Sequence, residues 1–315
     1  MEHLNQTNSK DFELVGFVAY EDYNPVLFTI FFIIYILTLT GNILIIVVVY
    51  YNTSLHTPMY FFITSLSCLE IFYVSTTTPK LLTMLVTKNN KISFCWCLVQ
   101  MYMFHSLGIT ECYLLVIMAI DRYVAICKPL RYSILMNTRV VRNLILVCWM
   151  PGFLSELILV SLTSQIVFCG KNYVNHYFCD IVPILNLACS DNTVPVIISR
   201  FIGGFPTIIN LAIVVLVYIN IIYSVIKTIK TNKGRRKAFS TCSSHLIVVT
   251  LFYGSACIVY TPKSSHSVEY EKIFALIYAM FTPFLNPIIY SLKNQEVITG
   301  VRRCLKNMKT QIRER

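Results

Sequence analysis

The chain has 315 residues, 56% of them hydrophobic and only 13% charged. A soluble protein has about a quarter of its residues charged, so an ordinary cytosolic enzyme is excluded and much of the surface must face lipid. The formal net charge of +11 raises nucleic acid as a partner, and twelve cysteines raise a disulfide scaffold. Cysteines such as Cys148 and Cys257, however, sit inside apolar runs, so the twelve are not one framework.

Residues 1–24 are polar and acidic, carrying Glu2, Asp11, Glu13, Glu21 and Asp22, and do not read as a cleavable signal; the first apolar span is expected to act as its own signal anchor. Apolar stretches long enough to cross about 30 Å of hydrocarbon as helix follow at 25–48, 59–82, 98–120, 144–165, 194–222, 238–260 and 273–292. The sixth is polar from Phe239 to His245 and purely apolar only from Leu246, which predicts a helix that continues into the cytoplasm. The runs are continuous rather than alternating, so helices are favoured over a barrel. The predicted fold is an all-α, seven-transmembrane helix bundle, one domain over 1–315, with a tail at 1–24, the bundle at 25–292 and a basic tail at 293–315.

Charge sets the orientation. Eighteen of the 26 Lys and Arg residues fall after span three (Arg122, Lys128, Arg131, Arg139, Arg142), after span five (Lys227, Lys230, Lys233, Arg235, Arg236, Lys237) and in the tail (Lys293, Arg302, Arg303, Lys306, Lys309, Arg313, Arg315). By the positive-inside rule that face is cytoplasmic and the N-terminus is outside. The basic excess then signals topology, anionic lipid and an acidic protein partner, and nucleic acid drops out. Asn5-Gln6-Thr7 becomes an outer glycosylation sequon, whereas the same pattern at Asn52 faces the cytoplasm and means nothing. Cys97, Cys169, Cys179 and Cys189 share the oxidising face and allow three pairings, with Cys95 left unpaired. Residues 297–312 read as a basic amphipathic helix on the membrane, with Cys304 either palmitoylated or free.

Within span three, Phe104, Gly108, Glu111, Leu115, Met118 and Arg122 are spaced by alternating four and three residues and form one stripe. At 1.5 Å per residue, Cys97 and Arg122 lie roughly 37 Å apart, at opposite rims, and Glu111 is about 16 Å above Arg122, near mid-bilayer. Glu70, midway along span two, is at similar depth. Two interior carboxylates at one level either hold a cation such as Na+ or share a proton, because both cannot stay ionised in a low dielectric. Asp121-Arg122-Tyr123 is a charge pair at the inner rim that can be made or broken. Pro287 interrupts span seven and predicts a hinge, with Asn286 expected to satisfy the freed carbonyls.

Four motifs occur in order: Leu55-His-Thr-Pro-Met-Tyr60; Met118-Ala-Ile-Asp-Arg-Tyr-Val-Ala-Ile-Cys127 with Lys128-Pro-Leu-Arg-Tyr132; Lys237-Ala-Phe-Ser-Thr-Cys-Ser-Ser-His245; and Pro283-Phe-Leu-Asn-Pro-Ile-Ile-Tyr290. With them the chain resembles the vertebrate odorant receptors of the rhodopsin-like G-protein-coupled family, from Gly41-Asn42 to Glu296. It departs in Ile120 before Asp-Arg-Tyr, Glu70 where Asp is more common, and Val217 before Tyr218. The resemblance implies bridges Cys97–Cys179 and Cys169–Cys189. It also implies a structural Na+ near Glu70 and Glu111, with Asn42, Asn286 and Ser291 as neighbours. Activation would run through Asp121, Arg122, Tyr123, Tyr218, Lys237, His245, Asn286, Pro287 and Tyr290, with a heterotrimeric G protein of the stimulatory olfactory type, raising cAMP, as partner.

Outer-half candidates for ligand contact are Phe104, His105, Gly108 and Ile109 in span three, Ile202 and Pro206 in span five, Ser255, Ala256 and Tyr260 in span six, and Tyr278 and Ala279 in span seven. The set is mostly apolar and aromatic, which suits a small hydrophobic odorant held by dispersion and one or two hydrogen bonds. His105 is the ionisable member, and with no outer carboxylate in span three an amine is disfavoured, Glu156 in span four being the reservation. Too few charges lie in the membrane for a transporter path, inverted halves are not apparent, and no Ser, His, Asp or metal-ligand cluster has catalytic spacing. The expected place of such a receptor is the plasma membrane, with no organic cofactor.

Overall fold

In the computed structural model, residues 11–169, 172–260, 268–292 and 297–300 are described, the side chains of 19, 237, 238, 240, 241, 268, 291 and 292 apart. Seven helices among these residues are long and apolar enough to cross a membrane. They are α1 (Asn24–Tyr51), α2 (Pro58–Thr87), α3 (Phe94–Cys127), α4 (Thr138–Ser164), α5 (Thr193–Ser199, a π-helical turn Arg200–Gly204, then Phe205–Thr228), α6 (Asn232–Tyr260) and α7 (Val268–Leu276, a π-helical turn Ile277–Phe281, then Thr282–Leu292). Most run past the predicted apolar limits, because polar turns continue the helix once its hydrocarbon-spanning part is formed. α6 starts at Asn232, so the polar stretch before Leu246 is helical, as its composition predicts.

The ends carry the expected signals. Pro25 and Pro58 occupy first-turn positions of α1 and α2, where a missing N–H costs nothing. The Ser93 hydroxyl caps α3 by accepting the Trp96 N–H at 3.4 Å, and the Asn137 side chain caps α4 by accepting from Val140 at 3.1 Å. Arg235 reaches back from α6 to the carbonyls of Ile229 and Ile226, serving otherwise orphaned acceptors at the end of α5. In the first motif, Leu55 is fully buried and the His56 ring nitrogen meets the Val49 carbonyl at 3.0 Å, which fastens the short loop to the end of α1.

α3 is the central post, touching α2, α4, α5 and α6, while α1 packs on α2 and α7. Of its stripe, Phe104, Glu111, Leu115, Met118 and Arg122 are buried and Gly108 is half-buried. Apolar side chains that point outward, such as Ile33, Leu146, Val147, Leu154, Ile208 and Leu216, form the surface left for lipid. Glycines set two close crossings. A Cβ on Gly152 in α4 would lie 2.4 Å from Thr110 Oγ1 and 2.8 Å from the Ser106 carbonyl of α3, and one on Gly41 would meet Pro287 at 3.1 Å.

The outer end holds a small sheet that the apolar pattern did not foretell. Strand β1 (Asp11–Leu14) pairs antiparallel with β2 (Lys91–Ser93), Phe12 opposite Ile92, and parallel with β3 (Tyr173–Val174), Leu14 opposite Val174. Phe12 and Leu14 are buried beneath it. Cys97 is joined to Cys179, and Cys169 to Cys189, with Cα separations of 5.4 and 5.7 Å; Cys95 is exposed and free. Asn5, Cys304 and most of the amphipathic tail lie outside the described residues. Residues 297–300 are helical, and Gly300 sits against Val48 and Asn52 at the inner end of α1.

Candidate functional site

At the outer half, the Cys97–Cys179 bridge pins the second outer loop to the top of α3, and the next residue, Asp180, is driven into the bundle. It is 2% exposed. Its carboxylate is 2.9 Å from His105 Nε2 of α3, accepts the Ile181 N–H at 2.7 Å, and lies 3.5 Å from the Tyr260 hydroxyl of α6. The Tyr260 and Tyr278 hydroxyls meet at 2.9 Å, carrying the link to α7. Burial pushes the Asp180 carboxyl up, but the hydrogen bond and charge of His105, aided by His176 and the Ile181 amide, outweigh it and hold the group below the usual carboxylate range. A loop acid thus joins three helices.

Beneath this polar roof the rings are close. Phe104 stacks on Tyr73 at 4.8 Å and packs on Phe178 at 4.4 Å. Gly108 leaves room for the Tyr73 hydroxyl, which would lie 3.5 Å from a Cβ there. Ile109, Ala256 and Ala279 are buried, and Ser255 turns its hydroxyl to the Leu251 and Phe252 carbonyls of its own helix. Ile202 falls on the π-helical turn of α5, Pro206 just after it, and Tyr278 and Ala279 on that of α7. Such turns re-aim side chains and recur at functional sites. Ile202 packs with the outer cluster below the sheet. The candidates on α3, α6 and α7 therefore converge.

The outer half is less apolar than its helices alone predict. Asp180 is on a loop, where helical periodicity is silent; the one signal for it is its place next to a bridge cysteine. Glu156 of α4 is buried too, near enough to His105 and Asp180 for their charges to interact. His105 is consequently not the only ionisable group, and the lack of an acid in α3 does not leave the outer half without one.

In mid-membrane, Asn286 donates from Nδ2 to Glu70 Oε1. Asn42 donates to the Thr38 carbonyl at 3.0 Å and to the Pro283 carbonyl at 3.4 Å. Pro283 is the residue whose helical partner Pro287 removes, so Asn42 of α1, not Asn286, serves the freed carbonyl. Asn286 is committed to Glu70, and Gly41 permits the approach. Asn42 Oδ1, Asn286 Oδ1, Glu70 Oε2 and both Glu111 oxygens are buried with no hydrogen-bond partner among the described residues. These hard oxygen donors fit a small cation; Ser291 cannot be placed, its side chain being outside the described set.

At the inner rim Arg122 is paired with Asp121, donating from Nε at 3.2 Å and from Nη2 to the same oxygen. The other oxygen accepts the Tyr132 hydroxyl at 2.8 Å. Tyr218 of α5 does not reach for the arginine; its hydroxyl meets His245 Nδ1 of α6 at 2.7 Å. A small cavity lies here, lined by Met59, Phe62, Met118, Asp121, Arg122, His245 and Tyr290. Tyr290 Oη and His245 Nε2 are buried without a partner among the described residues. Tyr123 is half-buried, and the Lys237 side chain lies outside the described set.

Seven membrane-spanning helices, a roofed outer half and a closed charge pair at the inner rim are the arrangement of a G-protein-coupled receptor. The olfactory receptor family model matches residues 31–308. Olfactory receptor 6N1 of Homo sapiens is 42% identical over 309 residues, 98% of this chain and 99% of that protein. Olfactory receptor 2A12 of Homo sapiens is 43% identical over 96% of this chain and 97% of its own length, and olfactory receptor 1M1 of Mus musculus 42% identical over 97% of each. The chain belongs to the olfactory receptor family.

Proposed function

We propose that this receptor takes a small, mostly hydrophobic volatile ligand into its outer half, beneath Asp180 and against Phe104, His105, Gly108, Ile109, Ile202, Pro206, Ser255, Ala256, Tyr260, Tyr278 and Ala279. The observation that carries the reading is the convergence of α3, α6 and α7 on the one loop carboxylate. A ligand hydroxyl, carbonyl or amine that competes for Asp180, His105 or Tyr260 alters the link between those helices, and α6 carries the change to the inner rim. There Tyr218–His245 separates, Arg122 leaves Asp121, and the exposed inner face meets a heterotrimeric G protein of the stimulatory olfactory type, raising cAMP. The basic inner loops and the bridged outer cysteines support a plasma-membrane protein with its N-terminus outside, Asn5 glycosylated and the C-terminus inside.

Asn42, Glu70, Glu111 and Asn286 would hold a Na+ at the centre, which would neutralise one buried carboxylate and favour the inactive packing. Glu111→Gln is expected to remove the salt dependence of basal cAMP; unchanged efficacy and salt dependence would refute a cation there.

The test of the ligand site is a panel of volatile alcohols, aldehydes, esters and amines on cells expressing the chain, with cAMP as readout. Asp180→Asn and His105→Ala are expected to lower potency for the active compounds by about ten-fold, the worth of one charged hydrogen bond, at equal surface expression. Potencies unchanged for every agonist in both variants would remove the roof from the site.

A further inference from the structure

The segment just before α1 is tied down more firmly than a tail needs to be. Besides the ladder of β1, Glu13 N–H donates to the Asn172 carbonyl at 2.9 Å, Leu14 to Asn90 at 3.0 Å, Val15 to Val174 at 2.9 Å and Gly16 to His176 at 3.1 Å. Four successive amides of one segment thus hold the first and second outer loops together. Gly16 has φ +65°, a left-handed turn, and Met84 Cε lies 3.1 Å from where its Cβ would be. That turn aims the Gly16 carbonyl at α7, where it accepts from Lys272 Nζ at 2.7 Å. Lys272 is fully buried and also donates to Glu269 Oε1 at 2.8 Å. A buried ammonium with two acceptors among the described residues is costly to leave unpaired, so the carbonyl of the segment is part of what keeps this lysine inside.

The next residue connects the segment to the candidate site. Phe17 stacks on Tyr177 at 5.3 Å, Tyr177 meets Phe178 at 4.9 Å, and Phe178 packs on Phe104 at 4.4 Å. The loop bearing Asp180 is therefore held from below by the Cys97 bridge and from outside by this segment.

We propose that residues 11–17 form a strap across the outer mouth, with Lys272 as its latch, and that the strap must lift for ligand to enter or leave from outside. The proposal rests on the ligand site lying beneath the Asp180 roof. Access is read by labelling, in the full chain at the cell surface, with a membrane-impermeant cationic methanethiosulfonate as probe. The parent carries Cys95→Ser and Ala256→Cys, and modification of residue 256 is followed by peptide mass spectrometry.

Lys272→Met removes the latch and is expected to raise the labelling rate about ten-fold. The pair Glu13→Cys with Lys91→Cys sits at facing positions of β1 and β2, and its oxidised form is expected to label several-fold more slowly than Lys91→Cys alone. A rate unaffected by the lock overturns the proposal and points to entry between helices from the lipid; so does an unchanged rate in a Lys272→Met chain that reaches the surface. If Lys272→Met does not reach the surface, the lock decides. The labelling needs no odorant response, so unchanged potencies in Asp180→Asn would count against the site and leave the strap to be judged on its own.

Discussion

Asp180 and His176 show how much the outer loop depends on single groups. His176 is buried with both ring nitrogens unpartnered among the described residues, between Tyr177 and Phe178, within the fields of Asp180, Lys272 and Glu269. Burial drives its imidazole down to about 4. An unfolded histidine titrates near 6.5, so between about 6.5 and 4 the unfolded chain binds a proton that the folded one refuses. The stability from neutral burial is full above about 6.5 and declines as pH falls to 4, by at most about 1.4 kcal/mol per pH unit. Asp180, held below its usual range, adds a loss of the same sign at more acid pH. Thermal midpoints of the purified receptor should fall over this window, and His176→Phe should flatten the fall; an equal slope in the variant would contradict the assignment. At the inner rim, Asp121→Asn weakens the hold on Arg122. A change of about 1–2 kcal/mol between two states shifts their ratio roughly 5- to 30-fold, so basal cAMP should rise by about five-fold or more at matched expression.

Elements show where packing overrides local preference. Gly152 is poor helix material, yet it lets α4 lie against Ser106 and Thr110 of α3. Gly152→Ala should cost about 1–3 kcal/mol by overpacking, read as a lower thermal midpoint. Thr110→Ala should recover part of it and no more, because two of the three close atoms, the Ser106 carbonyl and the Thr110 amide nitrogen, are backbone and cannot be trimmed. In α7, Pro287→Ala restores the missing donor to Pro283 and frees Asn42 from that task. A stiffer α7 should show as a lower maximal cAMP response with unchanged surface expression; an undiminished maximum would make the proline a fixed kink. The break that Pro287 makes in the hydrogen bonding of α7 was legible in the sequence. The group that serves the freed carbonyl was not, because Asn42 is 241 residues from Pro283 along the chain and nothing local marks it.

On the scale of the whole molecule, the receptor is a lipid-facing bundle whose buried charges run from roof to inner rim on several elements: Asp180 on a loop, Glu156 on α4, Lys272 on α7, Glu70 on α2, and Glu111 with the Asp121–Arg122 pair on α3. The Cys97–Cys179 bridge closes a stretch of 82 residues and places Asp180 over His105, so replacing both cysteines by serine should cost about 2–5 kcal/mol and abolish odorant responses even where chain still reaches the surface. Retained potency in that variant would show that the roof forms without the bridge.

The number of spans, the gathering of basic residues in the loops at one end, the helical period of α3 and the motifs at both rims follow from the sequence itself, because hydropathy, charge and helical period are properties of a chain within a turn or two of each residue. Tertiary structure alone decided that a loop aspartate roofs the outer half, that the segment before α1 becomes the middle strand of a sheet, that Asn42 serves Pro283 and that Tyr218 holds His245 rather than Arg122. Each is a pairing of groups far apart in the chain, chosen by which buried polar atom lacked a partner when the helices came together.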